Sequence, residues 1–284
     1  MKTGISSLIC IVVSVLISAS LLMAQSGQIT SKDQSATTAI ANAKKALGGE
    51  TNIEGVKSLV LTGTSKTRQQ NGSNITNNFE IKILLPDNFL WINQPQFSIP
   101  GQGSISMYNG ISNGEIISGA FVGTERMPQA KMDLKDQNAI NAQLDGFARL
   151  LIGAILKSDP VAPINVSATS TPNKFSITTT RGTLCEIEFD SEDGYPSNIL
   201  YKEVVSKPPQ MSKDPKSGGM VIGPSGETET VDSFMRFKDR IAVEGILFPK
   251  TIIYESRGNI DRELQIEKIQ INPKLSLKDF ELPQ

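Results

Sequence analysis

An alternation of apolar and polar residues between positions 77 and 85 is the clearest pattern in the chain. Its apolar members share one face of an extended segment: Phe79, Ile81, Ile83 and Leu85. Polar residues occupy the opposite face, and a period of two is typical of a β-strand with one buried side. Pro86-Asp87-Asn88 predicts a turn after this strand. The apolar run 89–92 predicts the strand that returns.

The C-terminal part of the chain continues this β pattern between residues 234 and 271. Its β-rich runs are separated by short polar turns at 243–245 and 256–259. Runs of this kind, joined by such turns, predict consecutive antiparallel strands. The apolar phase reverses within the last run, where Leu264 and Ile266 share one face but Ile269 and Ile271 fall on the other. This reversal predicts a β-bulge near Glu267-Lys268.

Further strands are predicted along the rest of the chain: 58–65, 104–108, 115–121, 175–179, 183–189 and 199–205. Asn109-Gly110 and Asn113-Gly114 are typical turn dipeptides, and 190–196 is another predicted turn. The patterns add up to about eleven strands in a single domain. An antiparallel sheet of this size must curl, and its inner face has to be filled by side chains, a helix or a ligand.

A helix is predicted over residues 35–47. Small and apolar residues recur there at helical spacing: Ala36, Ala39, Ile40, Ala43 and Leu47. Gly48-Gly49 provides the stop signal. The small side chains indicate close packing on a flat surface such as a sheet.

A second predicted helix is far more apolar. Asp133 is its predicted N-cap, with Asp136 three residues later, and Asp159-Pro160 ends it. Its apolar stripe recurs at intervals of three and four residues: Ile140, Leu144, Phe147, Leu151 and Ile155. Neighbouring apolar residues widen that stripe beyond an ordinary amphipathic face. The apolar surface of such a helix must be buried against another element. This predicts that the helix is a lid over the curved sheet or a plug within it.

The first 24 residues have the pattern of a secretory signal peptide. Lys2 precedes an apolar run over 5–23, and Ala24 supplies a small residue at the cleavage position. An uncleaved membrane anchor is the alternative, because the run is long enough to span a bilayer. No cluster of positive residues follows the run, which favours cleavage.

The remaining chain is predicted to divide into a flexible N-terminus, residues 25–34, and one domain, residues 35–284. Within the domain, residues 206–228 are rich in proline and glycine and poor in apolar residues. That composition predicts an exposed, flexible loop.

Charge and residue counts exclude several classes of function. The formal net charge is −1, which argues against nucleic-acid binding by bulk electrostatics. The absence of histidine excludes Ser-His-Asp and Cys-His catalysis and histidine-containing metal sites. Cys185 is the one cysteine after residue 24, so a thiolate zinc site is unavailable too. Carboxylate or Ser-Lys chemistry remains, or none, and we predict no catalytic residue, cofactor or metal.

Several short segments stand out by their order and spacing: 43–49 with 56–59, then 85–89, 189–196 and 237–249. The first reads Ala-Lys-Lys-Ala-Leu-Gly-Gly, and the last contains Val-Glu-Gly-Ile-Leu-Phe-Pro. Together they resemble segments of secreted bacterial proteins of the LolA-like outer-membrane lipoprotein-sorting superfamily. The resemblance covers the chain from about residue 35 to its end.

The resemblance implies an open, strongly curved antiparallel half-barrel whose concave face is capped by helices. The predicted fold class is therefore mainly β with helices (α+β), with about eleven strands and a helical lid or plug. Carriers of this family shelter acyl chains in a hydrophobic cavity and carry lipoproteins across the periplasm. A periplasmic location and a lipid or lipoprotein acyl chain as partner are implied in the same way. The chain differs from the dedicated carrier by the extra 206–228 segment and by the lack of a cysteine pair. These differences weaken the expectation of a lipoprotein cargo more than the expectation of the fold.

On this interpretation a hydrophobic cavity would be lined by residues of the first strand pair and of the apolar helix: Phe79, Ile81, Ile83, Trp91, Leu144, Phe147, Leu151 and Ile155. The alternative for each of them is a place in a filled core. Trp91, the only tryptophan, would then be a core anchor instead of a residue at the cavity mouth.

Two non-enzymatic hypotheses of function follow, and an enzyme that uses carboxylate or Ser-Lys chemistry is a third, less favoured alternative. In the first, the protein is a periplasmic carrier or binding protein that holds an acyl chain in its cavity. In the second, it is an envelope interaction or sensor module with a filled interior, and residues 206–228 contact a protein partner.

Overall fold

The computed structural model describes residues 31–69, 72–99, 103–128, 133–157, 164–206, 210–213, 220–223 and 228–283. The predicted signal segment and residues 25–30 lie outside these ranges. In the described part of the chain, no helix combines the length and the apolar character of a membrane span.

The described helices are α1 (Ser31–Ala46), α2 (Glu50–Gly55) and α3 (Gln137–Ile155), with a short 3-10 helix at Leu277–Phe280. The strands are β1 (Ser58–Arg68), β2 (Asn74–Leu84), β3 (Asn88–Pro95), β4 (Ser98–Ile99), β5 (Gly103–Ser112), β6 (Glu115–Val122), β7 (Glu125–Arg126), β8 (Asn165–Ala168), β9 (Lys174–Thr179), β10 (Gly182–Phe189), β11 (Pro196–Ser206), β12 (Gln210–Lys213), β13 (Met220–Gly223), β14 (Thr228–Val243), β15 (Ile246–Ser256) and β16 (Asn259–Ile271).

One large antiparallel sheet contains most of the strands. Its order is β7-β6-β5-β3-β2-β1-β16-β15-β14-β11-β10-β9-β8, and β4 pairs with β5 beside this path. The sheet is curved, and its edge strands β7 and β8 do not meet. The predicted fold class, a mainly β open half-barrel with a helix, is therefore confirmed. More strands are present than the roughly eleven predicted, because β4, β7 and β8 are too short to display an alternating pattern.

The meander predicted at the C-terminus is formed by β14, β15 and β16. Both of its connections are two-residue turns in which the backbone φ is positive at each central residue. Glu244 and Gly245 have φ values of 49° and 80°, and Arg257 and Gly258 have values of 50° and 72°. These are the dihedrals of a type I′ turn, whose twist matches that of the flanking strands.

The predicted bulge in β16 is confirmed at Glu267. Thr62 of β1 is paired with Lys268, but the next residue, Gly63, is paired with Ile266. Glu267 is therefore the extra residue. Gly63 is needed at this irregularity, since a Cβ atom there would lie 1.9 Å from the carbonyl oxygen of Gln265.

One predicted turn is wrong. Asn109-Gly110 lies inside β5, where Leu90 of β3 is the partner of Gly110. A Cβ atom at Gly110 would lie 2.0 Å from the carbonyl oxygen of Phe89, so glycine allows the two strands to approach here. Asn113-Gly114 does form the predicted turn, with φ values of 51° and 75°.

The two N-terminal helices and the link between them pack against the β14–β15 turn. The helix α1 begins at Ser31, inside the segment predicted to be flexible, and α2 was not predicted as a helix. After α1, the backbone N–H of Leu247 donates to the carbonyl of Leu47 at 2.8 Å. Gly48 packs so closely on the β14–β15 turn that a Cβ atom would lie 1.9 Å from the oxygen of Gly245.

The apolar helix α3 lies on the concave face of the sheet. Its N-cap is Asp136, whose carboxylate accepts from the backbone N–H groups of Asn138 and Ala139, and not Asp133 as the sequence predicted. Asp133 instead closes a turn before the helix, where its carboxylate accepts from the N–H of Lys135. Close approach to the sheet occurs at Gly153, where a Cβ atom would lie 2.0 Å from the Phe237 ring.

The segment predicted as a loop, residues 206–228, contains two described strands. The strands β12 and β13 pair with each other and form a separate two-stranded sheet. At the base of this segment, Ser206 and Thr228 are partners in the β11–β14 ladder.

Candidate functional site

Side chains fill the half-barrel beneath the C-terminal half of α3. Leu151, Ile152 and Ile155 are at most 1% exposed. A void of about 10 Å³ lies between helix and sheet, with an apolar lining that includes Leu59, Ile83, Leu151 and Phe248. A space of this size holds about one water molecule at most. An acyl chain has no room here in this conformation.

A larger space, which we call the central cleft, opens beside the middle of α3, residues 142–150. Its volume is about 450 Å³, within the range of pockets that bind small molecules. Strands β1, β3, β5, β11, β14, β15 and β16 form its other walls. Its floor is apolar: Phe89, Trp91, Phe147, Leu150 and Met235. Charged residues of both signs surround the floor: Arg68, Arg149, Arg262, Glu203, Glu255 and Asp261.

Aromatic contacts connect α3 to the sheet at the floor of the cleft. The rings of Phe89 and Phe147 are stacked with their centroids 5.2 Å apart. Trp91 is tilted against the buried Phe79 ring at 6.3 Å, and its Nε1 donates to Asn93 Oδ1 at 3.0 Å. The indole N–H is therefore satisfied within the protein, and the indole ring supplies apolar surface to the cleft.

Two arginines of the cleft are held against aromatic rings. The Arg149 guanidinium carbon lies 4.3 Å from the Tyr201 ring centroid, and that of Arg262 lies 4.8 Å from the Trp91 ring centroid. Such cation–π contacts restrict the position of the guanidinium without neutralising its charge. Both side chains are half-buried.

Two of the cleft carboxylates have partners on the sheet. Glu255 Oε2 lies 3.0 Å from Nε of Arg236, and Glu203 Oε2 accepts from the Ser233 hydroxyl at 2.9 Å. Asp261 is exposed near the start of β16.

Neutral polar groups complete the wall of the cleft. Burial raises the pKa of Tyr254 to about 12, and burial likewise raises the pKa of Tyr201 above its ordinary value. Both phenols are therefore protonated at neutral pH and able to donate a hydrogen bond. On α3, the buried Oε1 of Gln143 has no hydrogen-bond partner among the described residues, which leaves it a polar contact to make with a bound molecule.

A second space, the side groove, adjoins the central cleft and shares Thr67 and Arg262 with it. Its volume is about 360 Å³. Apolar side chains line much of it: Ile75, Pro95, Phe97, Ile105 and Met107. Phe97 is 52% exposed, so the groove presents apolar surface to solvent.

The structure places the eight residues predicted to line a cavity in three environments. Trp91 and Phe147 line the central cleft. Five others lie in the main core: Phe79, Ile81, Ile83, Leu151 and Ile155. Leu144 packs against a smaller cluster of Ile111, Ile116 and Ile140. Two of the eight are therefore brought together at the open space.

Several residues of the cleft were not singled out from the sequence: Phe89, Arg149, Tyr201, Tyr254 and Arg262. A signal was present for one of them. Arg149 is the only basic residue of α3, and it stands between Phe147 and Leu150 within the apolar face. A charged side chain on an apolar helix face indicates a structural or functional role, because the burial of an unpaired charge is energetically unfavourable. The remaining residues belong to strands of mixed composition, in which a phenol or a guanidinium does not stand out.

The groups of the central cleft are suited to binding. Burial raises the pKa of the Cys185 thiol to about 12, so that this cysteine is a neutral core residue at physiological pH. Across the described ranges, no group of three or more metal-ligating side chains is arranged around a common point. The cleft offers apolar surface, guanidinium groups and phenols.

Comparison with solved structures finds similar folds at low sequence identity. A LolA superfamily protein from Nitrosomonas europaea is 11% identical, with a TM-score of 0.47. A domain assigned to outer-membrane lipoprotein sorting, from Vibrio parahaemolyticus, is 11% identical, with a TM-score of 0.45. A protein of an uncharacterised domain family from Desulfovibrio piger is 9% identical, with a TM-score of 0.43. Each comparison covers 87% of this chain and 97% of the other.

The names of two of these proteins refer to the superfamily that the sequence motifs resemble. No protein-family model matches the sequence, and no curated protein matches it. A function for the chain has to be derived from its own cleft.

Proposed function

We propose that the protein binds the acyl chain of a lipid or lipoprotein in the central cleft, as a non-enzymatic carrier or binding protein of the bacterial periplasm. The observation that carries this proposal is an open space of about 450 Å³ with an apolar floor and a charged surround. A ligand with an apolar tail and a polar end matches such a surface. The location rests on the signal-peptide pattern of residues 1–24.

The apolar floor can supply useful affinity without any polar contact. Each methylene group removed from water contributes about 0.8 kcal/mol. A tail of several methylenes over Phe89, Phe147 and Leu150 therefore offsets part of the entropy lost on association. The side groove extends the apolar surface beyond Arg262 and gives a longer tail a place to continue.

A second candidate function is an interaction or sensor module of the cell envelope, with a protein as partner. The observation that favours it is the filled interior beneath α3, where the void is only about 10 Å³. In this case the half-barrel serves as a rigid scaffold, and the hairpin of β12 and β13 is an element that a partner contacts.

Native mass spectrometry and lipid extraction on the purified protein test for carriage. The full-length chain is exported in a bacterial host, so that the protein meets the lipids of the envelope. We expect copurified lipid, and displacement of a neutral fluorescent probe, N-phenyl-1-naphthylamine, by sodium oleate. A protein that contains no lipid and does not take up the probe would contradict the proposal.

A matched pair of variants connects binding to the cleft. Gly146 of α3 lines the cleft, and a Cβ atom there has only Arg149 Nη2 within 4 Å. A side chain at position 146 therefore begins in free space at the cleft, and for Gly146→Phe we expect at least about a tenfold loss of oleate affinity while the unfolding temperature is maintained. Asn138→Phe places the same ring at an exposed position of α3 outside the cleft. That control should bind oleate as the wild type does.

A further inference from the structure

We propose that the central cleft selects anionic amphiphiles, whose carboxylate or phosphate is bound by Arg149 and Arg262 together. This inference rests on the proposed binding function and names the polar end of the ligand. The two guanidiniums belong to different elements that line one cleft, Arg149 to α3 and Arg262 to β16.

Neither guanidinium is neutralised by the protein. Among the described residues, no carboxylate lies within the 4.0 Å ion-pair distance of Arg149 or Arg262. Arg149 donates to the carbonyl of Leu184 at 3.4 Å, which is a long contact. Two half-buried positive charges without a counter-ion are unfavourable in a protein, and a bound anion relieves both.

The aromatic rings leave the hydrogen-bonding edges of the arginines available. A guanidinium that lies over a ring uses its face for the contact, while its N–H donors point outward in the plane. Arg149 rests on Tyr201, and Arg262 rests on Trp91. Because the rings hold both groups in place, little side-chain entropy is lost when an anion binds.

Tyr254 connects the two arginines in space. The positive charges of Arg262 and Arg149 both act on its hydroxyl and lower its pKa, against the larger raising effect of burial. Arg149, Arg262 and the protonated Tyr254 phenol all line the same cleft. A phenol is a neutral donor, so Tyr254 adds a hydrogen bond to the same anion without adding charge.

The carboxylates of the cleft offset this field only in part. Glu255 is paired with Arg236, which lies outside the cleft lining, whereas Glu203 accepts from the neutral Ser233 hydroxyl and keeps its charge. Asp261 is exposed to solvent, where its charge is screened. The apolar floor lies next to the two arginines. Phe147 and Leu150 are close to Arg149 in the sequence of α3, and the Trp91 ring contacts the Arg262 guanidinium. That combination fits an anion with an attached tail better than a free anion.

The experiment compares ligands that share a tail and differ in charge. Displacement of N-phenyl-1-naphthylamine, which is uncharged, is measured with sodium oleate, 1-oleoyl-lysophosphatidate, oleyl alcohol and inorganic phosphate, each below its aggregation concentration. We expect both anionic amphiphiles to displace the probe at concentrations at least about tenfold lower than the alcohol. Inorganic phosphate alone should not displace it.

A double variant tests the assignment of residues. In Arg149→Gln/Arg262→Gln, we expect the apparent affinity for oleate and lysophosphatidate to fall by about 10- to 100-fold. The affinity for oleyl alcohol should change by less than about threefold, because the floor remains. The matched control is Arg240→Gln, which removes an arginine that also stacks on a ring, Tyr195 at 4.0 Å, outside the cleft. It should bind all probes as the wild type does.

Each outcome has a distinct meaning. Equal displacement by oleate and oleyl alcohol in the wild type overturns the anion proposal but leaves the acyl-binding function standing. Anion binding that survives in the double variant overturns the assignment to Arg149 and Arg262. Displacement by inorganic phosphate indicates a site for a free anion and also overturns the proposal. Failure of every amphiphile to bind removes the proposed function, and this inference with it.

Discussion

Two glycines of α3 occupy opposite environments, although the helix sequence alone does not distinguish them. Gly153 faces the sheet, where a Cβ atom would lie 2.0 Å from the Phe237 ring and 2.9 Å from Ile199 Cδ1. Gly146 faces the central cleft, where a Cβ atom would meet only Arg149 Nη2, at 4.0 Å. The first glycine is required for close helix–sheet packing, and the second leaves part of the cleft unfilled.

Alanine substitutions at these glycines should have effects of opposite sign. Gly153→Ala gains helix propensity but forces the buried Phe237 ring to move, and overpacking of this kind costs about 1–3 kcal/mol. We expect a net loss of about 1–2 kcal/mol in the free energy of unfolding, measured by urea denaturation. Gly146→Ala is the control, and it should gain about 0.5–1 kcal/mol. Equal effects at the two positions would show that α3 does not pack on the sheet as described.

The sequence predicted which residues are buried better than which residues form the open space. Phe79, Ile81 and Ile83 are buried on one face of β2, as their alternation indicates. Arg149 and Arg262 come together from positions more than a hundred residues apart, and no local pattern connects them. Burial follows from periodicity, whereas a cleft depends on which side chains of distant elements fail to fill the space between them.

At the scale of elements, the hairpin turns were predicted because their chemistry is local. Glu244-Gly245, Arg257-Gly258 and Asn113-Gly114 all have positive φ at both residues. Glycine at the second position supports this geometry in each turn, but only Asn113 is a favoured residue at the first. The Asn109-Gly110 dipeptide has the same composition and lies within a strand, because pairing with β3 overrides the local preference.

The β14–β15 turn offers a stability prediction. Glu244 holds a φ of 49°, which is costly for a residue other than glycine, asparagine or aspartate. We expect Glu244→Asn to raise the free energy of unfolding by a few tenths to about 1 kcal/mol.

A neighbouring substitution serves as the contrast. Gly245→Ala should lower stability by about 1 kcal/mol or more, since φ is 80° and the new Cβ would lie 3.2 Å from Asn52 Nδ2. The free energies of unfolding of both variants are measured by chemical denaturation and compared with that of the wild type. A destabilising Glu244→Asn substitution would contradict the type I′ assignment of this turn.

At the scale of the whole molecule, the half-barrel and the β12–β13 hairpin are separate sheets. The β11–β14 ladder continues to its last pair, Ser206 and Thr228, so the chain between these residues could be as short as a hairpin turn. The described residues that line the central cleft belong to other parts of the chain.

Replacement of residues 207–227 by Asn-Gly tests what this segment contributes. We expect the free energy of unfolding to be unchanged or raised by up to about 2 kcal/mol, because a shorter loop closes at a lower entropic cost. Oleate displacement should stay within about threefold of the wild type, since every described residue that lines the cleft is retained. A large loss of binding would assign the segment to the site. Loss of a protein partner with binding retained would favour the interaction module.

The sequence alone determined the curved antiparallel sheet, the apolar helix, the turns of the C-terminal meander and the bulge at Glu267, because each depends on periodicity or on the dihedral preferences of a few adjacent residues. It also limited the chemistry, since a chain without histidine lacks the common catalytic pairs. Only the tertiary structure decided that the interior beneath α3 is filled and that the open space lies beside it. The filled interior and the open space depend on how closely Gly153 allows the helix to approach the sheet and on which side chains of α3, β3 and β16 meet. Packing between distant elements has no local signature in the chain.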